Sequence, residues 1–260
     1  MVLGRSFRIV SFLGVPVALH VTWFPIFGLL VWFFSEVHFG RMLPHLSPWE
    51  CIGFGVLAAL ALYLSLLAHE YGHCLVARWY GIPTTQITLF CFGCIAQILR
   101  APPTPKSEFL ITIAGPIVSG VIAFSFWTVS VFSSASSSLG AFSQLLALLN
   151  LSAALVNLLP IFPLDGGRIL HSGLWAWSKN PHQATRFADR AGQGITVLLV
   201  VGAVFWIVKD WQANSWFFLL GTVLFAMVQY YLHYLCGVQL KKAMDEEPLT
   251  LPSPSRGEGS

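Results

Sequence analysis

Long apolar runs separated by short polar stretches set the layout of this chain. A first run covers about Val21–Phe34, with Pro25 as a candidate kink, and the polar stretch 35–50 closes it as a loop. A second run, about Cys51–Tyr80, is long enough to cross a bilayer as a helix and is stopped by Gly81 and Pro83. A third run covers about Ser107–Phe132, with Ser107 as the expected N-cap and Glu108 in the first turn. The Ser-rich turn 133–138 leads to a fourth run, about Leu139–Leu159, ended by Pro160 and Pro163. A short helix to about Lys179 follows, then apolar runs at about Ala191–Val208 and Trp216–Val238.

Two stretches break this helical pattern. Residues 5–20 carry Gly14, Pro16 and β-branched side chains, and 84–99 are apolar and β-prone but too short for a helical span. Both read as extended. The second is expected to be a hairpin or re-entrant β element, tolerated only where protein or water satisfies its backbone. The fold class expected is therefore an all-α polytopic membrane protein with six transmembrane helices and a small membrane-associated β element.

Composition supports that class. Only 10% of the 260 residues are charged, against about 25% in soluble domains, and 56% are hydrophobic. One membrane domain over 1–240 with a disordered polar tail over 241–260 accounts for the whole length. The first apolar run has no small-residue cleavage site after it, so it reads as a retained span and not a signal peptide. Five cysteines, mostly within apolar runs, imply no disulfide framework. A net charge of +3 gives no footprint for nucleic acid. In a six-span arrangement twelve of the fourteen Lys and Arg fall on one side, and only Arg41 and Lys209 on the other. The positive-inside rule then puts both termini in the cytosol and makes the protein a multi-pass resident of the cell's inner (plasma) membrane, with a bacterial origin expected. The ends of the second and fourth runs fall at the cytosolic face.

The chemistry sits near the end of the second run, in His69-Glu70-Tyr71-Gly72-His73. Histidines four apart lie one turn above each other on a helix face and can reach one metal ion, and the intervening Glu70 can take a proton from water there. Each histidine could instead be a satisfied core residue. But three ionisable groups within five positions of a membrane helix would cost on the order of 2.5–3.5 kcal/mol each, and a metal removes the difficulty. His69 lies roughly 15–18 Å along the helix from its cytosolic end, so hydrolysis there requires a water-filled cavity open to the cytosol. A catalytic zinc site takes three protein ligands and keeps one position open. The third candidate is Asp165, which follows the fourth run in Asn157-Leu158-Leu159-Pro160-Ile161-Phe162-Pro163-Leu164-Asp165-Gly166-Gly167. The prolines end the helix and the glycines permit a sharp turn that aims the carboxylate back. Capping of the following helix is the rival role for Asp165.

These motifs together resemble the site-2 protease family of intramembrane zinc metalloproteases, peptidase family M50. Ala114-Gly115-Pro116 resembles that family's A-G-P motif, and Gly14–His20 its amino-terminal hairpin; the likeness extends from residue 5 to about 238. It implies one zinc ion per chain held by His69, His73 and Asp165, with Glu70 activating water and Asn157 binding substrate or the transition state. It also implies cleavage in or near the transmembrane segment of a single-span, membrane-anchored regulatory protein, in contact with the lipid bilayer and with a regulatory membrane partner as a further candidate. The 91 residues between His73 and Asp165 leave no room for an inserted PDZ domain, and the short tail none for CBS domains, so the compact six-span group is the expected match. Gly93-Cys94 stands where many members have Gly-Gly.

Secondary candidates carry plainer readings. Asn150 reads as a helix–helix hydrogen bond and His20 as a structural bond in the entry hairpin. Cys91-x-x-Cys94 reads as small-residue packing, and Arg168 and His171 as solvated interfacial residues. A zinc transporter and an inactive scaffold are the rival functions. The first would not need Glu70 and would need acidic groups along a through-path; the second is disfavoured by the intact His69, Glu70, His73 and Asp165.

Overall fold

The computed structural model describes residues 6–90, 93–98, 100–134 and 136–209. The expected sixth span, the tail beyond 240 and Cys91 lie outside those residues. The described elements are β1 (Ser6–Phe12), β2 (Val15–His20), α1 (Trp23–Met42), α2 (Pro48–Trp79), β3 (Thr84–Phe90), β4 (Gly93–Ile98), α3 (Pro105–Phe132), α4 (Ser138–Asn157), α5 (Asp165–Ser178) and α6 (Pro181–Lys209). The chain divides after Gln193, and the candidate site described below lies within residues 6–193.

Among the described residues, four helices, α1 to α4, are long and apolar enough to cross a membrane. They carry large exposed apolar side chains such as Leu29, Leu64, Phe124 and Leu155, a surface suited to lipid. The expected fifth span, 191–208, falls within the carboxy-terminal part of α6, which begins ten residues earlier at Pro181 because Asn180 caps it: its Oδ1 accepts the backbone N–H groups of His182 and Gln183.

Local chemistry moves three expected boundaries. The stretch from 35 is not a loop: α1 continues to Met42 through a π-helical turn at Phe33–Phe39, which lets Phe34 and Phe39 bury against Cys51, Ala58, Ala141 and Leu145. Pro25 falls in the first turn of α1, which starts at Trp23, where N–H groups have no helical partner to lose. Ser107 is not the N-cap of α3. Thr104 is, with Pro105 at N1, and Ser107 sits at N3, where its hydroxyl closes a reciprocal capping box. Ser47 and Glu50 form the same device ahead of Pro48 on α2.

The two extended stretches form one sheet, in the order β1-β2-β3-β4. β1 and β2 pair antiparallel across a turn at Leu13 and Gly14, and β3 and β4 pair antiparallel with Gly93 at φ +128, a conformation that favours glycine. β2 and β3 run parallel, with Val17, Ala18 and Leu19 opposite Ile87, Thr88 and Leu89. Val17, Ile87 and Leu89 pack on Tyr63, Tyr71 and Cys74, so the sheet lies against the same helix that carries the HEYGH motif. Tyr71 Oη donates to the carbonyls of Phe12 and Val15 at 3.1 and 3.3 Å, and Arg78 to that of Leu13 at 3.3 Å, fixing the β1–β2 turn to α2.

Candidate metal centre

His69 and His73 project from α2 toward α3, which approaches closely because small residues face each other. A Cβ on Gly72 would stand 3.0 Å from the Ala114 carbonyl oxygen and from Val118 Cγ2. Gly115 faces the two imidazoles themselves: a Cβ there would lie 2.6 Å from His69 Nε2 and against His73 Nε2. Glycine is required at 115 by the approach of these rings.

α3 also sets the rings' orientation. Ser119 Oγ lies 2.9 Å from His69 Nδ1, and His73 Nδ1 donates to the Ile111 carbonyl at 2.8 Å. With both Nδ1 atoms engaged by α3, Nε2 is the nitrogen that each ring has left to hold a metal.

Asp165 completes the group. Its Oδ2 is 3.1 Å from His69 Nε2 and its Oδ1 is 3.4 Å from His73 Nε2. One atom from each of the three residues falls within 4.8 Å of the others, and both histidines are buried. Two imidazole nitrogens and a carboxylate converging in this way fit a zinc ion with an open position. Asp165 does not cap α5. Leu164 holds the cap position, Asp165 is the first helical residue, and its carboxylate is turned to the histidines. The glycines after it act differently from the sequence expectation. Neither adopts a positive φ; both lie in the first turn of α5, where a Cβ on Gly166 would run into the Leu158 and Leu159 carbonyls and one on Gly167 would lie 2.6 Å from the Phe162 nitrogen. The missing side chains let the start of α5 sit against the loop.

Glu70 is half-buried between the two histidines in sequence, and its Oε2 accepts the Ala96 N–H at 3.2 Å. β4, at the sheet edge, thus reaches the carboxylate directly. Asn157 is the last residue of α4, half-buried, and is not one of the three groups that converge. Asn150 donates to Ser65 Oγ at 3.2 Å and to the Leu146 carbonyl, an α2–α4 tie as expected. His20 Nδ1 lies 2.8 Å from Thr22 Oγ1, a local structural bond.

A further expectation fails here. Arg168 is exposed, but His171 is 9% exposed and forms an ion pair with Glu108 at 2.7 Å, Nδ1 to Oε2. Its Nε2 faces the Pro181 carbonyl at 3.3 Å and Thr185 Oγ1 at 3.1 Å. The Glu108 carboxylate holds the His171 imidazole above its ordinary pKa, against burial and Arg168, which act to lower it. Sequence reasoning missed this pair because its partners are 63 positions apart. It missed Ser119 for lack of any local sign beyond its helical spacing of four from Gly115.

The model of peptidase family M50 matches residues 57–137 and 132–201 of the chain. A Synechocystis sp. protein, provisionally named a zinc metalloprotease, is 36% identical over 204 residues, covering 76% of this chain and 52% of its own length. A Mycobacterium tuberculosis protein with a similar provisional name is 30% identical over 251 residues, covering 92% and 63% respectively. The chain therefore spans about half to somewhat under two thirds of the length of these relatives. Among solved structures, the site-2 protease from Methanocaldococcus jannaschii matches with a TM-score of 0.53 and 27% identity, over 85% of this chain and 94% of that one.

Proposed function

The chain belongs to peptidase family M50, and from that premise we propose that it is an intramembrane zinc endopeptidase. Its substrate is a single-span, membrane-anchored regulatory protein cut in or near its transmembrane segment. The observation that carries this reading is the convergence of His69 Nε2, His73 Nε2 and the Asp165 carboxylate within 4.8 Å, between helices apolar enough to lie in a membrane.

His69, His73 and Asp165 would hold the metal. Zinc bound there supplies a Lewis acid that lowers the pKa of water toward about 7 and polarises the scissile carbonyl. Glu70 accepts the proton of the attacking water and delivers it to the leaving amine. Its hydrogen bond from Ala96 keeps the carboxylate aimed while the proton is exchanged. The Asn157 amide donates to the oxyanion that develops on the substrate carbonyl. A helical substrate hides its carbonyls in its own hydrogen bonds and must unwind locally before cleavage. The positive-inside pattern supports a water path to the site from the cytosolic side.

Metal analysis of the purified chain tests the ligand set. Wild type should carry one zinc per chain, and H73A and D165A should lose it while remaining helical by circular dichroism. Retention of stoichiometric zinc by both variants would refute the assignment.

A further inference from the structure

Asp165 is contributed by a helix of only 14 residues that follows a proline-broken loop, whereas both histidines come from the 32-residue α2. Something must hold that short helix in register with the histidines. One face of α3 presents Glu108, Ile111, Gly115 and Ser119 at helical spacings of three, four and four. Three of these meet the histidine rings: Ile111 and Ser119 through Nδ1, and Gly115 by leaving them room. The fourth, Glu108, meets His171 on α5, about 9 Å along that helix from Asp165.

We infer that the Glu108–His171 pair is a positioning device for the metal centre, tying Asp165's helix to the same face of α3 that orients His69 and His73. This rests on the zinc reading above. The glycine contacts of Gly166 and Gly167 seat only the first turn of α5 against its preceding loop. The Glu108–His171 bond is a polar tie from further along α5 to α3, and both partners are 9% exposed, so water competes little for it. The far side of the ring is used too: Nε2 donates to the Pro181 carbonyl, itself also accepting from Thr185, so both ring nitrogens face acceptors. His171 thus joins α3, α5 and the start of α6, while touching none of the three candidate ligands.

The two ring nitrogens can be tested separately. Asn at position 171 can replace the Nδ1 donor that meets Glu108, and Gln can replace the Nε2 donor that meets Pro181. Zinc affinity of the full chain in detergent, by chelator competition, and the absorption spectrum of the Co2+-substituted protein are the readouts. Loss of the tie to α3 lets Asp165 shift from the histidines, so it should weaken zinc about tenfold in H171Q and E108A and alter the Co2+ spectrum, the low end of what removing a group bonded directly to a ligand does. H171N should stay within about threefold of wild type, and the E108A/H171Q double variant should be no weaker than E108A alone. Wild-type affinity in H171Q, or equal losses in H171N and H171Q, would overturn the inference even with zinc bound to the wild type. A wild type that binds no stoichiometric zinc would overturn the underlying reading and this inference with it.

Discussion

Gly115→Ala places one methyl group where the candidate centre has no room for it. The new Cβ would lie 2.6 Å from His69 Nε2 and against His73 Nε2, about 1 Å inside normal van der Waals contact. Three responses are open, and each damages the site. The imidazoles can rotate, breaking the Nδ1 bonds to Ser119 and Ile111. α3 can retreat from α2, but Gly72 is already packed on Ala114 and Val118, so the whole face would part. Or the Nε2 atoms can turn from Asp165. Overpacking a close-packed interior costs about 1–3 kcal/mol. Since the atoms struck are the donor nitrogens, most of that cost should fall on the metal-bound state, a loss of roughly 5- to 150-fold in zinc affinity. Chelator competition on purified wild type and G115A would measure it, with thermal unfolding of the metal-free forms to separate affinity from folding. G115A with wild-type zinc affinity would refute the reasoning, because the rings would then not stand where they are described.

Other variants probe the supports around the site. Ser119→Ala removes the partner of His69 Nδ1 and should weaken zinc by about 10–100-fold, read by the same competition, with little change in helix content. Tyr71→Phe removes both bonds to the β1–β2 turn and should lower stability by about 1–2 kcal/mol, read as a lower thermal midpoint in detergent. The Glu108–His171 pair predicts a pH dependence. Because the folded pKa of His171 is raised above its unfolded value, its stabilisation is complete below about pH 6.5 and is lost as pH rises through the folded value. The thermal midpoint of wild type should therefore fall across that window more steeply than that of H171N.

Much of the centre was legible in the sequence because its signals are local. The four-residue spacing of His69 and His73 fixes a shared helix face, and the Pro-x-x-Pro-Leu-Asp-Gly-Gly run marks where an apolar helix must end and a carboxylate follow. What the sequence concealed was pairing at a distance. Nothing in residues 5–20 or 84–99 alone says that β2 and β3 align in parallel to make one sheet, or that Ala96 would donate to Glu70. Likewise Glu108 reads as a helix-start acid and His171 as an interfacial residue until α3 and α5 are brought together. The helical continuation past Phe34 was hidden by the polar letters Ser35, Glu36 and His38, while burial of Phe34 and Phe39 decided the outcome. The role of Gly166 and Gly167 was misjudged for a related reason: a glycine pair signals a turn locally, but here it signals close packing of a helix start.

The most direct test of the account is cleavage of a reporter transmembrane substrate by wild type and by Glu70→Gln, each with its zinc content measured, in detergent. The account predicts one zinc per chain in both proteins and cleavage only by wild type. Cleavage by the Gln variant at the wild-type rate, or a folded wild type without stoichiometric zinc, would contradict it.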